Sequence, residues 1–365
     1  MKIWIDGYEA NVLQRLGSSQ VGFELLRNLE KIDKSNEYTV LLPEPPLEDL
    51  PKERKGWRYK ILRPKKFWTR IALPLALYST KEKPDIFFSP THYIPRFSPV
   101  KRIATIFDLS FLHFPEMFNK KDLWQLTNWT KFSAANADHI ITISNFSKQD
   151  IISQYKIDKT KITVAYPGYD REKYRFQVPG YRLQEIQRKY QTSDNYIIYI
   201  GTIQPRKNLI RLIEAVSRID ALTLVVVGKK GWMFDETLQT SRELRIEERV
   251  KFLGFIPSDE LPDLIAGAKA FVMPSFWEGF GIPVLEAMAC GTPVIVSNSS
   301  SLPEVAGKAG ILVDPYSVDQ IEQAIRTIIS DKKLHQKYLE LGLLQVEKFS
   351  WEKMAKTTLK VFELL

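Results

Sequence analysis

Residues 271–297 read FVMPSFWEGFGIPVLEAMACGTPVIVS, and they predict a strand, a loop, a short helix and a second strand in that order. The apolar runs at 271–273 and 293–296 are the two strands. Pro283 fits the first turn of a helix, where its missing N–H costs nothing. Gly291 ends this helix after about two turns, because glycine commonly follows the last residue of a helix. The stretch therefore predicts one unit of a parallel α/β sheet.

The loop within this stretch combines two glycines with two carboxylates. Gly279 and Gly281 let the main chain come close to a ligand, and the start of the helix offers free N–H groups to an anion. Glu278 lies in the loop, and Glu286 lies eight positions later inside the helix. Such a pair also occurs in ordinary surface helices. Here Trp277 and the flanking strands indicate a buried, aromatic-walled loop, so we expect the carboxylates to hydrogen-bond a ligand.

Strands and helices alternate along both halves of the chain. The first half predicts strands at Lys2–Ile5, Tyr38–Leu42, Tyr59–Leu62, Asp85–Ser89, Arg102–Phe107, His139–Ile143 and Ile162–Tyr166, with helices over 18–32, 68–80, 120–136 and 146–156. After turn dipeptides at 167–180, strands resume at Tyr196–Ile200, Leu222–Val227, Val250–Leu253, Ala270–Met273, Val294–Val296 and Ile311–Val313. We therefore predict two doubly wound, Rossmann-like α/β domains, 1–172 and 173–348, with a ligand cleft between them and a final helix in 349–365.

Length and composition are those of a soluble protein with two domains. The 365 residues exceed one ordinary core, and the apolar share of 44% and the charged share of 26% are ordinary. The single cysteine, Cys290, excludes an internal disulfide and a cysteine metal cluster. The sequence begins with a strand, and no apolar run reaches the ~18 residues that span a bilayer. We expect a cytoplasmic protein.

The net charge of +9 favours an anionic partner. Nine basic residues and one acid lie between Lys52 and Arg70, with four aromatic residues (Trp57, Tyr59, Phe67 and Trp68) among them. Three interpretations stay open for segment 52–70: a solvated basic face, contact with anionic lipid at the inner face of a membrane, and nucleic-acid binding. We expect no nucleic-acid partner, because no recognised nucleic-acid module surrounds the segment.

A second group of candidate residues lies at 201–208, which reads GTIQPRKN between a predicted strand and a predicted helix. Gly201 and Thr202 allow a tight turn, and Arg206 and Lys207 place two cations where a helix start already favours anions. A phosphate or diphosphate would be held there by charge-assisted hydrogen bonds. The alternative is a surface Arg-Lys pair that merely precedes a helix.

The first domain contributes weaker candidates. Gly17 and Ser18 open a predicted helix, with a serine as its N-cap, and the glycine main chain can approach a phosphate. Asp108 follows a predicted buried strand, and ligands gather at the carboxyl ends of parallel strands. His113, five residues later, is a second polar candidate or an ordinary loop histidine.

Several common catalytic patterns are missing from the sequence. There is no Asp-x-Asp pair for a nucleotide-bound divalent ion, no His-x-x-x-His zinc pattern and no Gly-x-Ser-x-Gly elbow. We expect no metal site and no cofactor. If a diphosphate leaves during a reaction, Arg206, Lys207 and helix dipoles must stabilise it instead.

Together these motifs resemble the retaining glycosyltransferases of family 4, which have the GT-B fold, and in particular the mannosyltransferase-like members. The resemblance spans essentially the whole chain and is most specific at 201–208, at Phe-Leu-Gly-Phe 252–255 and at 278–286, which matches the Glu-x7-Glu motif of the family. It implies an acceptor-side first domain, a donor-binding second domain and a last helix that returns to the first domain.

The resemblance also implies roles for individual residues. Glu278 would support the donor sugar and the positive charge that develops at its anomeric carbon, while Arg206 and Lys207 would neutralise the diphosphate. Glu286 would accept hydrogen bonds from the ribose. The remaining donor-binding positions would be the main chain of Gly279, Phe280, Gly281 and Ile282, the turn at Gly201 and Thr202, Phe255 and Ile256 along the base, and Gly17 with Ser18. The donor would be GDP-mannose or a UDP-hexose, and the acceptor a glycan or a lipid-linked glycan.

Two departures from the family pattern matter. Relatives often have His-Asp where this chain has Phe107-Asp108, so the histidine role is vacant unless His113 or Asp108 serves differently. Many members have Gly-Arg where this chain has Gly201-Thr202. The alternatives that stay open are a degenerate protein that binds sugar nucleotide without turnover and a GT-B sugar-nucleotide epimerase.

Overall fold

The computed structural model describes residues 1–176, 178–231 and 234–365, and these form two compact units. The first unit comprises Met1–Gly168 and Ser350–Leu365, and the second comprises Tyr169–Phe349. The chain passes from one unit to the other at 168–169 and at 349–350, where the sequence predicts limits at 172 and 348. Gln177, within the predicted linker, lies outside the described residues.

The first unit, whose residues are all described, is built on a parallel sheet of seven strands. These are β1 (Lys2–Asp6), β2 (Glu37–Leu42), β3 (Trp57–Ile61), β4 (Ile86–Ser89), β5 (Lys101–Thr105), β6 (His139–Thr142) and β7 (Ile162–Val164), in the order β3-β2-β1-β4-β5-β6-β7. The helices are α1 (Ser18–Ile32), a π-helical turn (Trp68–Ala72) that continues into α2 (Leu73–Ser79), α3 (Ser110–His113), α4 (Lys120–Asn136) and α5 (Asn145–Tyr155), with 3-10 turns at Pro115–Met117 and Lys159–Lys161.

The described part of the second unit contains a parallel sheet of six strands. They are β8 (Tyr196–Ile200), β9 (Thr223–Val227), β10 (Val250–Gly254), β11 (Ala270–Met273), β12 (Val294–Ser297) and β13 (Gly310–Val313), in the order β10-β9-β8-β11-β12-β13. The helices are α6 (Gly180–Tyr190), α7 (Leu209–Ser217), α8 (Phe234–Glu243), α9 (Leu261–Ala266), α10 (Ile282–Ala289), α11 (Leu302–Ala306), α12 (Val318–Ser330) and α13 (Lys332–Val346), with 3-10 turns at Pro205–Lys207, Glu247–Arg249 and Gly307–Ala309.

The central strands are almost entirely apolar, as expected where helices cover both faces of a parallel sheet. All five residues of β8 are buried, and so are all four of β11 and β12. The main-chain register pairs Phe271 with Val294 on one side and with Ile198 on the other. This pairing brings the carboxyl ends of β8 and β11 together, so the two loops with the candidate donor residues lie side by side.

The last helix, α14 (Trp351–Glu363), belongs to the first unit. It packs against α1, and the ring of Phe362 lies edge-on to that of Phe88 at a centroid distance of 5.3 Å. Ser350 caps the helix by accepting a hydrogen bond from the main-chain N–H of Lys353 at 3.1 Å. The implied return of the last helix to the first unit is therefore present.

Within the described ranges, none of the helices has the length and apolar character that crossing a bilayer requires.

Candidate active site

Glu278 is the centre of a cluster formed by the loops after β8 and β11. Its carboxylate accepts hydrogen bonds from Lys207 Nζ at 2.5 and 2.7 Å and from Ser275 Oγ at 2.7 Å. Arg206 Nη1 lies 3.5 Å from Glu278 Oε2 and also donates to the carbonyl of Trp277. The predicted catalytic residues of the second unit are therefore in direct contact with one another.

The charges of this cluster keep Glu278 ionised. Glu278 is buried, and burial alone would raise the pKa of its carboxyl group. The positive charges of Lys207 and Arg206, together with the hydrogen bonds from Lys207 and Ser275, outweigh burial and hold the pKa of Glu278 below its ordinary value. Two cations and one anion leave the cluster with one net positive charge, which suits it to a further anionic group.

The turn at Gly201 is shaped by close packing. Gly201 has a φ of 156°, and a Cβ there would lie 2.8 Å from the hydroxyl oxygen of Tyr199. Tyr199 is fully buried, and its hydroxyl has no hydrogen-bond partner in the described part of the chain. Burial and the nearby charge of Glu278 raise the pKa of Tyr199 well above its ordinary value. A neutral phenol therefore lies directly beneath the turn.

The start of α10 presents main-chain N–H groups. Those of Gly279, Gly281 and Ile282 donate to no acceptor among the described residues, as is usual in the first turn of a helix. Gly281 has a φ of 102°, and a Cβ there would lie 2.8 Å from a methyl group of Leu302. The position therefore requires glycine on both conformational and steric grounds.

Serine hydroxyls hold this loop in place. Ser300 Oγ accepts from the main-chain N–H of Glu278 at 3.0 Å. Ser301 Oγ donates to the carbonyl oxygens of Glu278 and Phe280, at 2.9 and 3.1 Å. Phe280 itself is buried against the ring of Phe349, so its main chain and not its ring is available to a ligand.

Glu286 is half-buried in the second turn of α10. Burial raises the pKa of its carboxyl group to about 7, although the charge of Lys173 and a hydrogen bond from the Tyr174 hydroxyl act in the opposite direction. Glu278 and Glu286 thus have opposite pKa shifts. The first is a fixed anion, and the second changes its charge near neutral pH.

The third predicted donor segment follows β10. Gly254 has a φ of 68°, and Phe255 beyond it exposes 59% of its surface. Ile256 is buried, so only its main chain could contact a base.

In the first unit, Asp108 follows β5 and its carboxylate accepts a hydrogen bond from the N–H of Ser110 at 2.8 Å. His113 is 2.9 Å from Asp150 through Nε2 and is therefore already engaged in an ion pair or hydrogen bond. Beside Phe107 lies another histidine, His92, whose ring is edge-on to the phenyl ring at a centroid distance of 5.3 Å. His92 has a φ of 64°, a strained conformation for a residue other than glycine and one that is frequent at functional sites.

The structure corrects the predicted start of α1. Gly17, with a φ of 56°, occupies the capping position, and there is no side-chain cap. Ser18 donates instead to Glu9 at 3.0 Å, and Ser19 bonds to the main chain of Leu16. The serine N-cap prediction is wrong because both hydroxyls have other partners. No atom lies within 4 Å of a Cβ built on Gly17, so its main chain is open to a ligand.

The basic segment 52–70 does not act as one surface. Trp57 and Trp68 are buried in the core. Among the bases, Arg54 pairs with Glu30, Lys65 pairs with Glu44 and Arg70 stacks on the ring of Trp129. The exposed aromatic residue of the four is Phe67.

Sequence reasoning missed several members of the site. Ser275, Ser300 and Ser301 support the loop at 278–281, and the four serines within 297–301 were the available signal. His92 had no local signal, because its proximity to Phe107 arises from the fold. Across the described residues, no cluster of three or more His, Cys, Asp or Glu side chains could hold a metal ion.

Two family models match the chain. Residues 17–173 match glycosyltransferase family 4, and residues 183–344 match glycosyl transferases group 1. The O-antigen chain mannosyltransferase B of Escherichia coli is 34% identical over 84% of this chain and 79% of its own length. The serotype-specific mannosyltransferase WbdA of the same species is 31% identical over 63% of this chain, which spans only 29% of that protein.

Solved structures share the fold. HepE of Anabaena, in complex with UDP-glucose, aligns over 100% of both chains with a TM-score of 0.78 and 19% identity. Sucrose-phosphate synthase of Thermosynechococcus elongatus aligns over 100% of this chain and 98% of its own, with a TM-score of 0.78 and 18% identity. The predicted α/β fold of two Rossmann-like domains is confirmed.

Proposed function

Since this chain belongs to glycosyltransferase family 4 and has the GT-B fold, we propose that it transfers a mannose-type hexose from a nucleotide diphosphate sugar to a glycan, with retention of configuration. The observation that carries this proposal is the contact of Lys207 and Arg206 with Glu278. The cluster has one net positive charge and lies beside the free N–H groups at the start of α10. This combination suits the diphosphate of a sugar nucleotide.

The cluster would stabilise the negative charge that develops on the leaving diphosphate. As the bond between the anomeric carbon and the phosphate oxygen breaks, its electron pair goes to the leaving diphosphate. Lys207 and Arg206 would stabilise that charge, and no metal ion would be needed. The ionised Glu278 would accept hydrogen bonds from sugar hydroxyls and stabilise the positive charge at the anomeric carbon.

Retention follows if the acceptor oxygen attacks the sugar from the face that the diphosphate leaves. Its proton would then pass to an oxygen of the departing phosphate. This route requires no nucleophilic side chain beneath the sugar, in agreement with Glu278 being committed to two cations. The catalytic roles of Glu278, Arg206, Lys207 and Asp108 are all part of the proposal.

The donor-binding assignments follow the same geometry. The free N–H groups of Gly279, Gly281 and Ile282, with the main chain of Phe280, would hold phosphate and sugar oxygens. Glu286 would accept from the ribose, and the exposed ring of Phe255 would lie along the base with the main chain of Ile256. Gly201, Thr202, Gly17 and Ser18 stay predicted donor contacts.

In the first unit we propose that His92 supplies the imidazole that Phe107 cannot. His113 is held by Asp150, whereas the ring of His92 lies against Phe107, the residue that precedes Asp108 in the sequence. The strained main chain of His92 supports a functional role. Asp108 would bind a substrate hydroxyl beside it.

Mannose is the proposed sugar because the curated relatives are named mannosyltransferases. GDP-mannose is therefore the first donor to test, and a UDP-hexose is the second, since HepE was crystallised with UDP-glucose. The acceptor would be a glycan, free or linked to lipid. A lipid-linked acceptor would bring the protein to the inner face of an anionic membrane.

The test is release of nucleotide diphosphate from GDP-mannose and from UDP-hexoses, with and without EDTA, in the presence of mannose-containing acceptors. We expect release that EDTA does not affect and a product with retained configuration. EDTA-sensitive release would contradict the metal-free mechanism, and inversion would contradict same-face attack. Binding without turnover would favour the degenerate protein, and a change in the donor sugar without acceptor would favour the epimerase.

A further inference from the structure

The helical segment 68–79 is apolar on two opposite sides. Its inner side, with Trp68, Leu73 and Leu77, is buried in a cluster with residues such as Trp4 and Phe87. Its outer side should be polar if only water surrounds it, because a surface helix normally has one apolar face. The outer side of this segment is not polar.

Four large apolar side chains point outward from this segment and its first flanking residue. The exposed surface is 54% for Phe67, 40% for Ile71, 59% for Leu75 and 55% for Tyr78. Ile71, Leu75 and Tyr78 follow one another at spacings of four and three residues, which places them on one side of the helical segment, and Phe67 immediately precedes it. We call these four residues the apolar ridge. A contiguous exposed apolar patch on a soluble protein commonly marks an interaction site.

The surroundings of the ridge are strongly basic. The sequence between Glu53 and Glu82 contains nine basic residues and no acid. Arg63 and Lys66 are exposed just before the ridge, and neither forms an ion pair with a described carboxylate. Lys66 lies 5.3 Å from the centroid of the Phe67 ring. Apolar side chains bordered by unpaired cations suit a surface that is apolar inside and anionic outside.

The ridge is firmly held by the core. The indole N–H of Trp68 donates to the buried carboxylate of Asp6 at 2.9 Å, and the ring of Tyr8 packs on Trp68 at a centroid distance of 5.5 Å. Phe67, at the start of the segment, has a left-handed φ of 62° and keeps its ring exposed. The protein therefore maintains the outward orientation of these side chains at the expense of local strain.

We infer that the apolar ridge is the membrane-docking surface of this protein and that its partner is a bilayer rich in anionic lipid. Arg63 and Lys66 would contact headgroup phosphates, while Phe67, Ile71, Leu75 and Tyr78 enter the headgroup–acyl boundary. The inference rests on the proposed function, in which a lipid-linked acceptor brings the protein to a membrane. The ridge is the surface through which the protein would then contact that membrane. The inference moves that contact from the predicted segment 52–70 to residues 63–78.

A second copy of the chain is the competing occupant. A two-fold contact through the ridge would bring each copy's Arg63 and Lys66 near the same residues of its partner. No acid lies between 54 and 81 to balance them. The charge pattern therefore favours an anionic bilayer over self-association.

The test is co-sedimentation with phosphatidylcholine vesicles, with and without phosphatidylglycerol, in the absence of donor and acceptor. We expect the full chain to bind only the anionic vesicles. Leu75→Glu, and separately Arg63→Glu with Lys66→Glu, should lower binding by about tenfold or more. Leu344→Glu is the matched control, because Leu344 exposes 69% of its surface on a helix of the second unit; its binding should equal that of the unchanged protein.

Equal binding of Leu75→Glu and the unchanged protein would overturn the inference, as would equal binding to neutral vesicles. A dimer in solution that Leu75→Glu dissociates would assign the ridge to a second copy instead. Far-UV circular dichroism and thermal unfolding of each variant check that it is folded. Because the vesicle assay contains no sugar nucleotide, its outcome is independent of whether transfer from GDP-mannose is found.

Discussion

The loop at 275–286 of the second unit and the segment at 105–113 of the first unit both follow the carboxyl end of a buried strand, yet they are built differently. In the second unit, Glu278 contacts both predicted cations, and the site has its charges in place before any ligand binds. In the first unit, Asp108 bonds to its own short helix, and Phe107 packs against His92 from another loop. The charge cluster of the second unit consists of residues from two short sequence motifs. The histidine beside Phe107 comes from a loop outside the motif that contains Asp108.

The largest expected effect is on the charge cluster. Lys207→Ala should lower the rate of transfer by about 100- to 1000-fold, the usual cost of losing one group that stabilises transition-state charge. The measurement is kcat for nucleotide diphosphate release. Lys337→Ala, at an exposed lysine of the same unit, should leave the rate unchanged. A rate for Lys207→Ala within about threefold of the unchanged enzyme, under ~1 kcal/mol, would remove Lys207 from the mechanism.

A substitution of His92 tests the proposed role of this imidazole in the first unit. His92→Ala should lower kcat on the order of 100-fold if its imidazole acts on the substrate, and donor binding should not change. Phe107→His in the same variant should restore part of the rate, because it returns an imidazole to the neighbouring position. His335→Ala, at a histidine of the second unit, is the control. Normal turnover of His92→Ala would leave the histidine role vacant in this chain.

Gly281→Ala tests whether the loop at 278–281 tolerates a side chain at Gly281. The positive φ and the clash with Leu302 should cost about 1–2 kcal/mol of unfolding free energy. Denaturant unfolding measures this loss. Gly180→Ala is the matched control, because no atom lies within 4 Å of a Cβ at Gly180. Equal stability of the two variants would show that the loop adapts to the extra methyl group.

The smallest expected effect concerns pH. Since the pKa of Glu286 is raised to about 7, its carboxyl group loses its proton as the pH rises through that value. An ionised carboxylate accepts ribose hydrogen bonds more strongly, so nucleotide affinity should rise severalfold from mildly acidic to mildly basic pH. Calorimetric titration of the nucleotide measures the effect. In Glu286→Gln this rise should be lost, and an unchanged pH profile would remove Glu286 from the ribose site.

Much of the second unit could be predicted because its signals are local. Pro283 predicts the start of α10, Gly291 predicts its end, and the structure has the helix at Ile282–Ala289. The apolar runs of β8 and β11 match the structure residue for residue. In these cases a few neighbouring residues determine the local conformation.

Other features depend on contacts between distant residues and could not be predicted. The pairing of Lys207 with Glu278 requires β8 and β11 to be neighbours in the sheet, although 69 residues (201–269) lie between the end of β8 and the start of β11. The basic segment at 52–70 looked uniform in sequence, but burial of Trp57 and Trp68 divides it. The proximity of His92 to Phe107 likewise arises only when β4 and β5 pair.

The return of α14 to the first unit has a consequence for the order of folding. Synthesis reaches Trp351 only after the whole of the second unit. The second unit can therefore fold as one continuous stretch while the first unit still lacks its last helix. Until then Phe88 has no Phe362 to pack against, and the side of α1 that α14 covers is exposed. A nascent chain that stops before 350 should therefore contain a complete second unit joined to an incomplete first unit that is prone to aggregation.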